Sequence, residues 1–358
     1  MNDLKIDKVI IGEETVNKII INGKNPGPWL HMQASVHGAE VMGNKVIHLL
    51  LEFFKTNPIN GKITLIPHAN PYSAKNKSGT YTTGRFCPIT GENWNRVYTD
   101  VTRVDLFKEN FLKKMSLYKN DSEAFKSLIK ESLISLKKNP YSMSRGKNLG
   151  LELQIQASKA DIFLDLHTGP VATEYLYVSE RQKHLSRDFK FSNQIIIPNK
   201  FDTAGDEAFF IPWSKLEEGT SSPFLGGEAY TVELGSEETI NKQDAILFRD
   251  KILDFLFKRK IINSEIKLEN TEITQRPLEN FQTYYCECDG LVEFLKAPGQ
   301  RVKEGETLYT IMNLKNISSE LNIEEIKKIK AVKDGTIINH SPSANMLSGM
   351  EIYQVLED

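Results

Sequence analysis

The chain has 358 residues, of which 40% are hydrophobic and 26% are charged, the composition of an ordinary globular protein. Its 45 Lys and Arg residues against 47 Asp and Glu leave a net charge of -2, which argues against a nucleic-acid partner because such proteins usually carry a basic surplus. The sequence has three cysteines, no apolar run of the roughly 18 residues that a membrane span needs, and no apolar region of a secretory signal. We therefore expect a cytoplasmic protein without a membrane partner.

Short β-rich stretches alternate with helical patterns through the first two-thirds of the chain. The β-rich stretches, bounded by turn residues, are predicted as strands at residues 29–36, 62–66, 161–166 and 230–234. Apolar residues at helical spacing predict helices at 41–54 and 240–257, and the Lys-rich segment 103–139 is predicted as a helical insertion with a solvated face. This alternation predicts an α/β fold, in which helices flank a parallel or mixed sheet.

The pattern changes after about residue 260, where a polar stretch is followed by strands and regular turns. We therefore predict two domains, residues 1–262 and residues 263–358, the second made of a linker and a small all-β unit. Two segments, starting at Gly290 and Gly335, repeat an order of glycine, strand, proline turn, glycine and strand, which resembles the lipoyl/biotinyl-type barrel. Near Lys315, where such a barrel would carry a modified lysine, this chain has a long insertion, so we expect an unmodified structural domain.

The second domain has two open roles, either covering a site on the first domain or mediating assembly into a homo-oligomer. The one helix expected in this part of the chain runs from Ile323 to Lys330. Composition and periodicity do not decide between the two roles.

Polar side chains lie at the ends of all four predicted strands. His37 and Glu40 follow the first strand, Asn70 follows the second, His167 follows the third, and Glu233 lies on the fourth. In an open α/β sheet the ligand crevice lies outside the carboxyl ends of the strands, so groups spread over about 200 residues of sequence are expected to converge there.

Three of these residues form a pattern typical of a metal site. His37 and Glu40 are separated by a strand-to-helix turn, in which Gly38 gives the backbone freedom to bring the two side chains together. With His167 they make a His₂Glu set, the kind that binds catalytic zinc and leaves a fourth position for water. Since a nearby carboxylate must take the proton of a metal-activated water, Glu233 is the candidate general base.

Each of these residues also has a simpler interpretation. A His-x-x-Glu pair can be a surface histidine with a helix-capping glutamate, and a single histidine at a strand end is more often a hydrogen-bonded core residue. Glu237 and Glu238 compete with Glu233 for the role of base. Asp165 either orients the ring of His167 or is an ordinary aspartate at the rim of the core. Only the joint pattern favours a metal site.

The order of the motifs resembles the succinylglutamate desuccinylase/aspartoacylase family over about residues 29–260. Five elements in a fixed order are far more specific than any one of them. The elements are His37-Gly38-Ala39-Glu40, Asn70-Pro71, Arg85 with Asn95-Arg96, Asp165-Leu166-His167 and Val232-Glu233-Leu234-Gly235.

The resemblance implies a zinc carboxypeptidase-like mixed sheet flanked by helices and a zinc-dependent hydrolase. It also implies that one Zn²⁺ per chain is bound by His37, Glu40 and His167, and that Glu233 is the general base. Several divalent ions suit a His₂Glu set, so the metal loaded in the cell stays open.

Roles for three further residues come from the same resemblance. Arg85 would polarise the scissile carbonyl, while Asn95 and Arg96 would bind a substrate carboxylate, which suits the planar fork of arginine. The alternatives are a solvated loop position for Arg85 and a surface ion pair for Arg96. One departure from the family concerns Asn93 and Trp94, which precede Asn95-Arg96 where an aspartate usually precedes Leu-Asn-Arg.

The function that this sequence predicts is cleavage of an amide bond in a small N-acyl amino acid by metal-activated water. A zinc carboxypeptidase acting on peptides or cell-wall fragments is the nearest alternative, because the same zinc and arginine groups serve both reactions. A non-catalytic binding protein on the same scaffold is the more distant one. The acyl group and the amino acid stay open.

Overall fold

The computed structural model of the protein describes residues 2–103, 108–138, 141–218, 224–312 and 326–358. The strands of these ranges are β1 Asp3–Ile11, β2 Glu14–Asn22, β3 Asn25–Ala34, β4 Asn60–Ile66, β5 Lys77–Ser78, β6 Tyr81–Thr82, β7 Ile162–Gly169, β8 Val171–Ala172, β9 Glu174–Ser179, β10 Asn193–Ile197, β11 Glu228–Ser236, β12 Thr274–Pro277, β13 Phe281–Tyr285, β14 Gly290–Phe294, β15 Arg301–Val302, β16 Thr307–Met312, β17 Ile326–Lys330, β18 Gly335–His340, β19 Asn345–Met346 and β20 Glu351–Glu357. The helices are α1 Met42–Thr56, α2 Lys108–Met115, α3 Ser122–Leu136, α4 Arg145–Ala157, α5 Gly205–Glu217 and α6 Lys242–Lys258.

Nine of the described strands form one mixed sheet in the order β1-β2-β4-β3-β7-β11-β9-β10-β12. Its centre, β4-β3-β7-β11, is parallel, whereas β2 and β9 run antiparallel to their neighbours β4 and β11. Each of the four predicted strands and both predicted helices overlaps an observed element. The prediction of a mixed α/β sheet flanked by helices is confirmed.

The two faces of the sheet are covered by different helices. On β7, Leu164 and Leu166 point to the face that packs against α1 and α6, where Phe54 and Phe255 are fully buried. The alternate residues of β7 point to the opposite face, where Phe163 packs beside residues of α4 and α5. Burial of each large apolar side chain contributes about 1.5–3 kcal/mol, so the two layers hold the central strands in place.

The predicted helical insertion covers the second face rather than extending into solvent. The ring of Phe125 on α3 meets that of Trp213 on α5 edge to face, with 4.9 Å between ring centroids. Lys126 is buried on the same helix and is paired with Glu123 and Asp161. The insertion therefore has a buried face in addition to its solvated one.

The described residues after Phe281 form two small antiparallel sheets, in the orders β13-β20-β18-β15 and β17-β16-β14-β19, around a shared core. The internal repeat is visible in the structure, because Gly290 and Gly335 begin β14 and β18. Gly305 and Gly349, with φ of +79° and +84°, precede β16 and β20.

Two smaller expectations for this region have different outcomes. The helix expected at 323–330 is wrong, since Ile326–Lys330 pairs with β16 as a strand. Lys315 lies outside the described residues. The segment after residue 262 also contributes β12, which pairs with β10 at the edge of the large sheet, and β18 pairs with β8. The division at residue 262 and the lipoyl/biotinyl-like barrel stay predictions.

Among the described residues, no helix is both long enough and apolar enough to cross a membrane.

Candidate metal centre

The predicted site residues meet at the carboxyl ends of the parallel strands β3, β7 and β11. After β3 the chain turns at Ser35, which is buried with φ of +58°, an uncommon value for a residue other than glycine. A Cβ atom on Gly38 would lie 2.4 Å from the carbonyl oxygen of Ser73. The sequence indicated backbone freedom as the reason for this glycine, and the structure shows instead the close approach of another backbone segment.

Asn70, which follows β4, holds this turn. Its Nδ2 donates to the carbonyl oxygen of Val36 at 2.9 Å, and its Oδ1 accepts from the backbone nitrogens of Tyr72 and Ser73. The Asn-Pro element of the sequence thus positions the loop that carries His37 and does not itself face the metal ligands.

His37, Glu40 and His167 form one compact, buried cluster. Their ligand atoms all lie within 4.8 Å of one another. The carboxylate of Glu40 bridges the two rings, with Oε1 2.8 Å from Nδ1 of His37 and Oε2 2.7 Å from Nδ1 of His167. Burial disfavours the charged form of Glu40, but the two histidines outweigh burial and hold its pKa well below its usual range.

The outer nitrogens of both histidines face oxygen atoms, which is what a metal site needs. Nε2 of His37 lies 2.9 Å from Oδ1 of Asn93, and Nε2 of His167 lies 3.2 Å from Oδ2 of Asp165. The other carboxylate oxygen of Asp165 accepts from Nε2 of Gln33 at 3.1 Å. Neutral rings with the proton on Nε2, directed at these oxygens, would leave the Nδ1 lone pairs, which here face Glu40, available to a metal ion. The residues present fit a divalent metal ion.

Glu233 lies directly beside this cluster. In the sheet it is paired with His167 on β7 and with Tyr175 on β9, so the three side chains form a row on the same face. Glu233 is only 8% exposed, and its Oε2 has no hydrogen-bond partner in the described part of the chain. Burial raises the pKa of Glu233 to about 8, with His167 lowering it and Glu40 raising it further. Of the three rival glutamates, Glu233 is buried, Glu237 is half-buried and Glu238 is exposed.

The three residues predicted to contact substrate lie in the same cavity but differ in environment. Arg85 is half exposed, and its NH1 lies 3.3 Å from Oε1 of Glu40. Asn95 is buried and accepts a hydrogen bond from the backbone nitrogen of Gly205, at the start of α5. Arg96 is exposed and its NH1 donates to the carbonyl oxygen of Asn95. The structure brings all seven predicted site residues to one cavity.

That cavity, of about 580 Å³, has a wall from the predicted second domain, which agrees with the covering role, one of the two left open, although the sequence did not name the residues. Asn339, Tyr353 and Gln354 reach it from β18 and β20, outside the predicted first domain. Tyr175 and Tyr177 line it from β9, and their identical strand parity could have indicated that they share a face, whereas only the register with β11 places that face beside Glu233.

Further acidic side chains that were not among the predicted site residues also line the cavity, among them Asp206 and Glu237. Asp206, near the start of α5, is buried, and burial, with Glu207 adding to the effect, raises its pKa to about 7. Glu237 follows β11, and burial together with Glu40 raises its pKa to about 7. No pattern in the sequence distinguishes these carboxylates from solvated ones.

Comparison with known proteins gives the family. Residues 26–257 match the sequence model of the succinylglutamate desuccinylase/aspartoacylase catalytic domain. The chain belongs to this family. No match was found among curated proteins.

Solved structures agree with the family assignment. A succinylglutamate desuccinylase/aspartoacylase-type protein from Shewanella frigidimarina is 34% identical, with a TM-score of 0.92 over 100% of this chain and 98% of that one. A family member from Shewanella amazonensis, also 34% identical, gives 0.91 over 99% and 98% of the two chains. The product-bound ectoine utilization protein from Ruegeria pomeroyi shares the fold at 17% identity, with a TM-score of 0.68 over 100% and 95%.

Proposed function

We propose that this protein is a zinc-dependent amidohydrolase that removes the acyl group from a small N-acyl amino acid. The observation that carries the proposal is the buried His37-Glu40-His167 cluster with the unpartnered carboxylate of Glu233 beside it in one cavity. Family membership supports the same chemistry.

The metal would be bound by Nδ1 of His37, a carboxylate oxygen of Glu40 and Nδ1 of His167. A zinc ion there supplies Lewis-acid activation of water and of the scissile carbonyl. Asn93 and Asp165 would keep the two imidazole rings in the binding tautomer through their outer nitrogens.

Glu233 would carry the proton. Its Oε2 accepts a proton from the attacking water and returns it to the leaving nitrogen, so that the amine departs neutral. The buried surroundings favour this exchange, because they raise the pKa of Glu233 towards the pKa values of the water and the amine with which it exchanges the proton.

The arginines would supply fixed positive charge. Arg85, whose guanidinium reaches the metal ligand Glu40, stabilises the negative charge that develops on the carbonyl oxygen. Arg96 and the amide of Asn95 bind the carboxylate of the amino acid and so hold the amide bond over Glu233.

The wall contributed by β18 and β20 favours the deacylase over the carboxypeptidase. Asn339 and Gln354 line the cavity, and they are hydrogen-bonded to each other at 2.6 Å. A wall at this position restricts the length of substrate that can extend away from the metal, which suits a small amide better than a peptide.

The test is zinc content together with hydrolysis of a panel of N-acyl amino acids and short peptides. Glu233→Gln should retain zinc and lose about 10²–10⁴-fold in kcat, since it cannot accept a proton. Glu52→Gln, on the exposed surface of α1, is the matched control and should behave as wild type. A zinc-loaded protein that leaves every acyl amino acid intact contradicts the proposal, and full activity of Glu233→Gln contradicts the assigned base.

A further inference from the structure

Glu237 is held in a fixed position at the end of β11. Its backbone nitrogen donates to the carbonyl oxygens of Gly169 and Pro170, at 2.8 and 3.2 Å. The next residue, Glu238, donates from its backbone to Ala39, between the predicted ligands His37 and Glu40. The segment is thus tied to both loops that carry metal ligands, and its side chains have defined directions.

The two neighbouring glutamates point to different places. Glu238 is exposed, and its carboxylate accepts a hydrogen bond from the backbone nitrogen of Thr82. Glu237 is half-buried and lines the cavity. Within the described residues, no hydrogen bond or ion pair engages the Glu237 carboxylate, although it interacts electrostatically with Glu40 and Arg85. Among the described residues, the Glu237 carboxylate therefore lines the cavity without a hydrogen-bond or ion-pair partner.

Glu237 and Arg96 line the same cavity but have different neighbours. Asn95 is attached to the start of α5, and Arg96 interacts electrostatically with Glu207 on that helix. Glu237 interacts instead with the Glu40 and Arg85 side of the metal centre. In the substrate orientation proposed above, with the amino-acid carboxylate at Arg96 and the amide at the predicted metal ligands, the acyl group would extend towards Glu237.

We propose that Glu237 determines specificity by excluding acyl groups that carry a negative charge, so that neutral acyl groups are the substrates. This inference rests on the proposed deacylase function and on its orientation of the substrate. The physical reason is like-charge repulsion in a partly desolvated cavity, where an anionic acyl group would meet the carboxylate of Glu237 before it could pair with Arg85.

The experiment compares N-acetyl and N-succinyl derivatives of the same amino acid, with kcat/KM measured at about pH 8.5, where Glu237 is ionised. Wild type should prefer the acetyl derivative, and Glu237→Gln should shift the ratio towards the succinyl derivative by at least about tenfold. Glu351→Gln removes the same charge from the wall formed by β20 and should leave the ratio within about twofold of wild type.

A ratio that Glu237→Gln leaves unchanged, or that Glu351→Gln shifts equally, overturns the inference. Binding of the same two compounds to zinc-loaded Glu233→Gln protein, with and without Glu237→Gln, gives a second readout that needs no turnover. If wild type hydrolyses neither compound, the binding ratio still decides the role of Glu237, and the proposed function is judged separately by the full panel of N-acyl amino acids. A wild type that prefers the succinyl compound in both assays also overturns the inference.

Discussion

Replacing Asp165 by asparagine tests whether the ring of His167 is oriented for a metal. Asp165 is fully buried, and its two carboxylate oxygens face two nitrogens, Nε2 of His167 at 3.2 Å and Nε2 of Gln33 at 3.1 Å. Asparagine has nearly the same volume but only one acceptor oxygen, so one of these nitrogens would face another donor. The negative charge that raises the basicity of His167 would also be lost.

Loss of such a partner typically weakens metal binding about 10–100-fold. That corresponds to about 1.4–2.7 kcal/mol of binding free energy. The assay is a competition titration of zinc against a chelator of known affinity, with thermal unfolding as a check on the fold. Asp206→Asn is the matched control, because Asp206 is also buried beside the cavity but contacts no predicted ligand, and it should bind zinc as wild type does. Zinc affinity of Asp165→Asn within about twofold of wild type, in a folded protein, would refute the reasoning.

Two other predictions follow from the same geometry. Gly38→Ala should reduce zinc affinity at least about tenfold, because the new Cβ would lie 2.4 Å from the Ser73 backbone and would displace either that backbone or the His37 loop. The control is Gly79→Ala, where φ is +59° and no atom lies within 4 Å of the new Cβ. Equal loss of zinc affinity in both variants would contradict the explanation. Burial raises the pKa of Asp206 from 3.8 to about 7 in the folded protein. The protonated carboxyl therefore contributes its full share of the unfolding free energy below pH 3.8, and this share is lost as the pH rises through 7. Chemical denaturation should therefore show that the unfolding free energy of wild type minus that of Asp206→Asn increases from pH 8 towards pH 5, by at most about 1.4 kcal/mol per pH unit. A difference that does not change with pH would show that the buried carboxyl does not titrate as described.

Asn93, where the sequence departs from the family pattern, contacts the predicted ligand His37 in the structure. Its Oδ1 lies against the outer nitrogen of His37 and also accepts from the backbone nitrogen of Asn95. His167 has a carboxylate at the corresponding place, Asp165. The two predicted histidine ligands therefore have unequal partners, one neutral and one charged, and the sequence alone did not connect Asn93 with His37.

The sequence by itself determined the alternation of strands and helices, the polar residues at strand ends and the order of the motifs. These features are local: apolar periodicity selects an element, and the ends of parallel strands are adjacent in any sheet of this class. His37, Glu40 and His167 could be named as predicted ligands for that reason. The family resemblance added Arg85 and Arg96 without indicating how exposed each would be.

Only the tertiary structure decided what lies beside those ligands. Strand register placed Glu233 between His167 and Tyr175, and hydrogen bonds from distant loops turned Glu237 inward and Glu238 outward. The packing of β18 and β20 brought Asn339 to the cavity. Such contacts join residues that are far apart in the sequence, from Glu233 and Tyr175 on neighbouring strands to Glu238 and Ala39, and they depend on register and packing that no local periodicity specifies.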